Sequence, residues 1–83
     1  MESTKITILN FLAKLFNVVD LSDIFYSIAL YKNAIRLQGE KNKQVEDNLE
    51  LLIKPVIDED STFKVFSFKV ADIDVEISFE LND

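Results

Sequence analysis

The chain contains no histidine and no cysteine, and this limits the chemistry that its side chains can perform. Without them there is no Ser-His-Asp or Cys-His arrangement, no thiolate nucleophile and no zinc site of the His/Cys type. Its one glycine, Gly39, cannot form a phosphate-binding loop or a dinucleotide fingerprint. The groups that remain are carboxylates, lysines, one arginine, tyrosines and hydroxyls, and among these only the carboxylates cluster.

Clustered carboxylates can in principle perform acid–base or metal-assisted chemistry. Three clusters occur: Asp58, Glu59 and Asp60; Asp72, Asp74 and Glu76; and Glu46, Asp47 and Glu50. The first lies in a predicted loop that lacks the glycine and spacing of a calcium loop. The others fit exposed faces of a strand and a helix. We therefore predict no catalytic residue, no metal site and no cofactor, and we expect the chain not to be an enzyme.

The same carboxylates can also form a binding surface. Asp74, Glu76 and Glu80 alternate along the last predicted strand, so they share one face at a repeat of about 6.6 Å. That spacing is comparable with the phosphates of one nucleic-acid strand, and it predicts a surface that fits a basic groove. The alternative is an ordinary strand with its polar face in water.

Charge is distributed unevenly along the chain. Residues 1–45 carry six basic and four acidic residues (+2), whereas residues 46–83 carry three and eleven (−8), which gives the net charge of −6. Nucleic-acid binding requires clustered basic residues, so we expect no direct binding to nucleic acid. The pattern favours a larger protein partner with a basic surface, reached by electrostatic steering. We read no membrane span and no signal peptide, and we expect a cytoplasmic location.

Helical periodicity predicts two helices, over residues 4–18 and 42–54. In the first, the predicted buried residues are Ile8, Leu9, Leu12, Leu15, Phe16 and Val19. In the second they are Val45, Leu49, Leu52 and Ile53, with Glu46, Asp47 and Glu50 outside and Pro55 ending the helix. Residues 57–62 read as a loop.

Residues 21–40 allow either a second helix or a β-hairpin, and one register favours the hairpin. With Lys32-Asn33 in the turn, the apolar pairs are Leu30 with Ile35 and Ile28 with Leu37, and Tyr26 faces Gly39. A second hairpin joins strands 63–70 and 73–81. Because Ala-Asp is not a favoured two-residue turn, we expect a four-residue loop there.

The predicted fold is therefore α+β, a single domain over residues 1–83. Its order is α-ββ-α-ββ, with one antiparallel sheet and two helices packed on one face. The sheet edges offer unpaired backbone groups to another chain. Phe25, Tyr31 and Phe63, expected on the polar face, are candidate interface anchors.

Three predicted features follow one another along the chain: a strand that ends in Leu37-Gln38-Gly39, a short helix, and a hairpin whose second strand begins with residues 73–77. This layout resembles small acidic phage-encoded proteins of the anti-CRISPR and other anti-defence kind. The resemblance implies an inhibitor acting in the host bacterial cytoplasm. Such inhibitors share no common fold, so the resemblance assigns no residue a role.

We therefore expect a small acidic protein-binding module, an inhibitor that blocks a basic, nucleic-acid-binding defence protein. The alternative is a homo-oligomeric assembly protein that acts through its sheet edge, and we expect a homodimer rather than a monomer. The predicted partner-binding residues are Asp74, Glu76, Glu80, Asp58, Glu59, Asp60, Glu46, Asp47, Glu50, Tyr31 and Phe63.

Overall fold

The computed structural model of the protein describes residues 2–81. The elements in chain order are α1 (Glu2–Leu15), a short 3₁₀ turn (Leu21–Asp23), β1 (Phe25–Tyr31), β2 (Ala34–Gly39), α2 (Lys43–Leu52), β3 (Val56–Glu59), β4 (Phe63–Val70) and β5 (Ile73–Glu80). The α+β class, the two helices and both hairpins are confirmed. The predicted order is incomplete, because β3 occupies the first half of the stretch predicted as a loop over residues 57–62.

The five strands form one mixed sheet in the order β1-β2-β5-β4-β3. Strands β2 and β5 run parallel, while the other three neighbouring pairs are antiparallel. The prediction of a purely antiparallel sheet is therefore wrong. Each hairpin is antiparallel within itself, but the two hairpins join through their second strands, and these point in the same direction. This arrangement makes β5 the central strand and leaves β1 and β3 as the two edges.

Both helices pack on one face of the sheet, as predicted, and a single hydrophobic core lies between them. The buried residues on the helices are Ile8, Leu12 and Phe16 in α1 and Val45 and Leu49 in α2. Those on the sheet are Phe25, Ile35, Leu37, Phe66, Ile73, Val75, Ile77 and Phe79. The opposite side of the sheet, which no helix covers in residues 2–81, is called the open face below.

The first hairpin has the predicted register over most of its length, with Ile28 opposite Leu37 and the turn at residues 32–33. The helix alternative for residues 21–33 is wrong, since only the 3₁₀ turn is helical there. The strand is favoured because β2 gives Ile28 and Leu30 the apolar partners Leu37 and Ile35 on the same face.

A β-bulge between Phe25 and Ser27 changes the start of β1. It places Phe25, not Tyr26, opposite Gly39, and it turns Phe25 into the core with 2% of its surface exposed. The expected position of Phe25 on the polar face is therefore wrong, because one extra residue reverses the alternation of a strand. Gly39 permits this close packing: a Cβ there would lie 2.7 Å from the Ile24 carbonyl oxygen.

One turn and two helix ends also differ from prediction. The second hairpin closes with a two-residue turn, not four, because Ala71 and Asp72 both adopt left-handed φ angles of 51° and 66°. Helix α1 ends at Leu15, so Val19 is 99% exposed and not part of the core. Leu52, expected to be buried in α2, is 58% exposed.

Candidate functional site

The predicted acidic row of β5 lies on the open face, and each of its carboxylates has a partner. Lys69 Nζ lies 3.6 Å from Asp74 Oδ1, and Arg36 Nε lies 3.3 Å from Glu76 Oε1. The hydroxyl of Tyr26 donates a hydrogen bond of 2.6 Å to Glu80 Oε2. The Glu80 hydrogen bond raises the pKa of Tyr26, because it favours the protonated phenol.

These contacts change the electrostatics of the row. Arg36, Lys69, Asp74 and Glu76 surround a shallow depression of about 420 Å³, in which two cations balance two carboxylates. The row also runs along the central strand, flanked by β2 and β4. The open face therefore presents alternating charges and not an uninterrupted line of negative charge. Reversing Glu76 and Glu80 would remove local contacts as well as charge.

The acidic residues of α2 divide into a buried and an exposed set. Glu46, expected to lie outside, is only 8% exposed, and its carboxylate lies 3.6 Å from Lys64 Nζ on β4. Glu50 lies 3.6 Å from the same Lys64 nitrogen. Asp47 forms an exposed pair with Lys43 at 3.4 Å. The predicted position of Glu46 on the exposed face of α2 is therefore wrong. Lys64 lies on the helix-covered side of β4, and its ion pair with Glu46 stabilises the carboxylate in a nearly buried position.

The acidic segment 58–60 is split between a strand and a turn. Asp58 and Glu59 belong to β3 and are exposed. Asp60 lies in the turn, where its Oδ1 accepts hydrogen bonds of 2.7 Å from the N–H groups of Thr62 and Phe63. These bonds hold the pKa of Asp60 below its usual value. Within residues 2–81, Asp58 and Glu59 take part in no ion pair.

The predicted aromatic anchors have different surroundings. Tyr31 is 51% exposed on the open face, with the Arg36 guanidinium 5.4 Å from its ring centre. Phe63 is half-buried at the start of β4, and Phe25 lies in the core. Tyr31 is therefore the aromatic residue of this set that remains accessible.

The described part of the chain holds no group of three acidic side chains placed to bind a metal ion. No helix within residues 2–81 is long and apolar enough to cross a membrane. The carboxylates described above make structural contacts or face solvent singly. Unpaired backbone groups of the sheet lie along the outer sides of its two edge strands, β1 and β3.

The sequence analysis missed an exposed apolar surface at the β3 edge. Leu51 and Val56 are each 73% exposed, Leu52 is 58% exposed and Ile57 is 40% exposed. A tight connection, in which Lys54 has a left-handed φ of 58°, joins the end of α2 to β3. The sequence did hold one signal, since Leu51 falls outside the apolar stripe of α2.

We call residues 51–59 the 51–59 surface. It combines two exposed leucines at the end of α2 with β3, a strand whose outer side has no partner in residues 2–81. The register of β3 with β4 places Ile57 and Glu59 on the helix-covered side of the sheet and Val56 and Asp58 on the open face. Of the predicted site residues, the structure brings Asp58 and Glu59 into this surface. It places Asp74, Glu76, Glu80 and Tyr31 together on the open face.

No protein-family model matches the chain, and no curated protein or solved structure matches it either.

Proposed function

We propose that the chain is a non-catalytic protein-binding module that docks on a larger, basic protein through the 51–59 surface. One observation carries the proposal: exposed Leu51, Leu52, Val56 and Ile57 occur in one short stretch with Asp58 and Glu59, whose carboxylates form no ion pair within residues 2–81. Exposed apolar side chains close to charged ones are typical of protein interfaces. The carboxylates of Asp58 and Glu59 select a partner of opposite charge.

The edge position adds a further means of binding. A partner strand can pair with the outer backbone groups of β3, which supplies affinity through main-chain hydrogen bonds. The apolar side chains then lose their contact with water, and the acidic rim increases the rate of encounter with a basic surface. The net charge of −6 acts in the same direction.

We propose that the partner is a nucleic-acid-binding protein and that the chain inhibits it by covering its basic surface. The choice of a bacterial defence protein as the first partner to test rests on the resemblance to phage-encoded inhibitors. The second candidate function, a homo-oligomeric assembly protein acting through a sheet edge, is favoured by a separate feature, the uncharged edge strand β1.

The test is a capture experiment from bacterial lysate, followed by titration of the purified partner against three forms of the chain. Asp58→Lys/Glu59→Lys reverses the two unpaired carboxylates of the 51–59 surface. Asp23→Lys/Glu40→Lys is the matched control, because it makes the same change in net charge at exposed positions elsewhere. We expect the first variant to weaken binding by about tenfold or more and the control to retain most of it.

The salt dependence of binding gives a second measurement. We expect the affinity of the parent chain to fall as salt rises and that of the 58/59 variant to respond less. Equal binding of the 58/59 variant and the parent across the salt series would contradict the proposal. So would a partner surface that is not basic.

A further inference from the structure

The two edges of the sheet are protected differently against pairing with other chains. Natural edge strands are commonly short or carry charges or proline, which discourage such pairing. Strand β3 has four residues of which two are acidic, so it disfavours pairing with a second acidic copy while leaving a basic partner free to pair with it. Strand β1, Phe-Tyr-Ser-Ile-Ala-Leu-Tyr, has seven residues and is the one strand of the five in residues 2–81 without any charged residue. Its bulge lies at residues 25–27, so residues 27–31 remain regular.

The apolar face of β1 is incompletely covered. Ile28 and Leu30 are 40% and 46% exposed, although their partners on β2, Leu37 and Ile35, are at most 1% exposed. The core therefore ends part-way across β1. A cleft between the first helix and this strand is lined by Leu9, Asn10, Ala13, Val19, Asp20, Leu21 and Ile28.

From these observations we infer that β1 pairs antiparallel with β1 of a second copy, which joins two five-stranded sheets into one ten-stranded sheet. A second copy fits because β1 itself carries no charged side chain. Two chains of net charge −6 repel each other, and β1 is the strand at which they can approach without placing charges opposite charges. A basic partner, by contrast, gains no ion pair at this strand.

The bulge sets the register of the pair. A two-fold axis at Ala29, the centre of the regular segment, places Ile28 opposite Leu30 of the second copy on the helix-covered face. It places Ser27 opposite Tyr31 on the open face, so apolar side chains meet on one face and no like charges meet on either. This is the self-complementary contact that two-fold symmetry requires. The inference rests on the second candidate function, for which it gives the edge and the register, and it uses the sheet edge opposite the 51–59 surface.

The first test is sedimentation of the parent chain over a concentration series up to about 0.5 mM, since a contact built mainly on one strand pair is small. We expect concentration-dependent dimers. Leu30→Lys should weaken dimerisation by about tenfold or more, because it places a lysine in the apolar contact. Val56→Lys is the matched control: it makes the same kind of change on the other edge, and we expect the dimer to persist.

If circular dichroism shows that the Leu30→Lys variant does not fold, a second test is available. The chain has no cysteine, so a single introduced cysteine reports its own symmetric contact. Ala29→Cys should form an intermolecular disulfide under mild oxidation, since directly opposite strand residues lie within disulfide reach. Ser27→Cys, two residues away on the same face, should not, because the symmetric pair would lie roughly 13 Å apart.

Three results would overturn the inference. One is a parent chain that remains monomeric throughout the series. Another is a dimer that survives Leu30→Lys in its folded form but is lost in Val56→Lys, which would place the contact at the β3 edge. The last is equal cross-linking of the two cysteine variants. Partner binding that is lost in the 58/59 variant with the dimer intact would separate this contact from the proposed function.

Discussion

At the scale of single residues, Lys64 holds α2 to the sheet. Its side chain is only 24% exposed, its Nζ lies 3.6 Å from both Glu46 and Glu50, and it lies 5.4 Å from the centre of the Phe66 ring. Lys64 is the cation that balances the nearly buried charge of Glu46, whose Oε2 also accepts a hydrogen bond of 3.4 Å from the backbone N–H of Asn42. Removing the partner of a buried charge lowers the free energy of unfolding, even where the intact pair contributes little net stability.

We therefore predict that Lys64→Met lowers the free energy of unfolding by about 1–3 kcal/mol, because Glu46 keeps its buried carboxylate without a counter-ion. Urea denaturation measures the change. The matched control is Lys43→Met, which breaks the exposed pair with Asp47 and should cost less than about 0.5 kcal/mol. Equal losses in the two variants would show that the Lys64 pair has no special role.

Asp60 gives a second prediction at this scale. Its carboxylate accepts two backbone hydrogen bonds, so its pKa is lower in the folded chain than in the unfolded one. A lowered folded pKa stabilises the fold above the unfolded pKa, and this contribution is lost as the pH falls through the folded pKa. We expect an NMR titration of the Asp60 carboxyl carbon to give a midpoint below the ordinary 3.8, and a midpoint at or above that value would contradict the assignment.

At the scale of elements, the turn between β4 and β5 is under backbone strain. Ala71 and Asp72 both have left-handed φ angles, a conformation that costs ordinary residues roughly 1–2 kcal/mol each. Two-residue hairpin turns of this shape prefer Asn-Gly. The hairpin tolerates Ala-Asp because its eight paired positions fix the register on both sides of the turn.

We predict that Ala71→Asn/Asp72→Gly raises the free energy of unfolding by about 1–2 kcal/mol, because Asn and Gly adopt left-handed angles at lower cost. Thermal or urea unfolding measures the change. The control places the same Asn-Gly pair at Lys32 and Asn33, whose φ angles are not positive. That variant should be neutral or destabilised by up to about 1 kcal/mol, since glycine adds freedom to the unfolded chain. Stabilisation of both turns alike would refute this account.

At the scale of the whole molecule, the two edges of the sheet are unlike and face away from each other across the five strands. The β3 edge is short and acidic and lies beside exposed leucines, and we propose that it binds a basic partner. The β1 edge is long and uncharged, and we propose that it pairs with a second copy. The central position of β5 keeps these edges apart and fills the middle of the sheet with its four buried residues.

The sequence by itself determined the class of fold, the two helices, the register of the second hairpin and that of the first beyond its bulge. These depend on local patterns: helical spacing in Val45 and Leu49, and alternation in residues 73–79, whose partners lie close along the chain. It also showed which reactions lack the residues they need, since the absence of histidine and cysteine is a property of composition.

The tertiary structure alone decided which strands of the two hairpins meet, and so made the sheet mixed. It also decided which carboxylates are unpaired: Lys64 reaches Glu46 from 18 positions away, and Arg36 reaches Glu76 from 40 positions away. The bulge at Tyr26, which buries Phe25, depends on the fit of Gly39 against Ile24. Such contacts join residues distant in the chain, and no local periodicity records them, because their energy arises only when the folded surfaces meet.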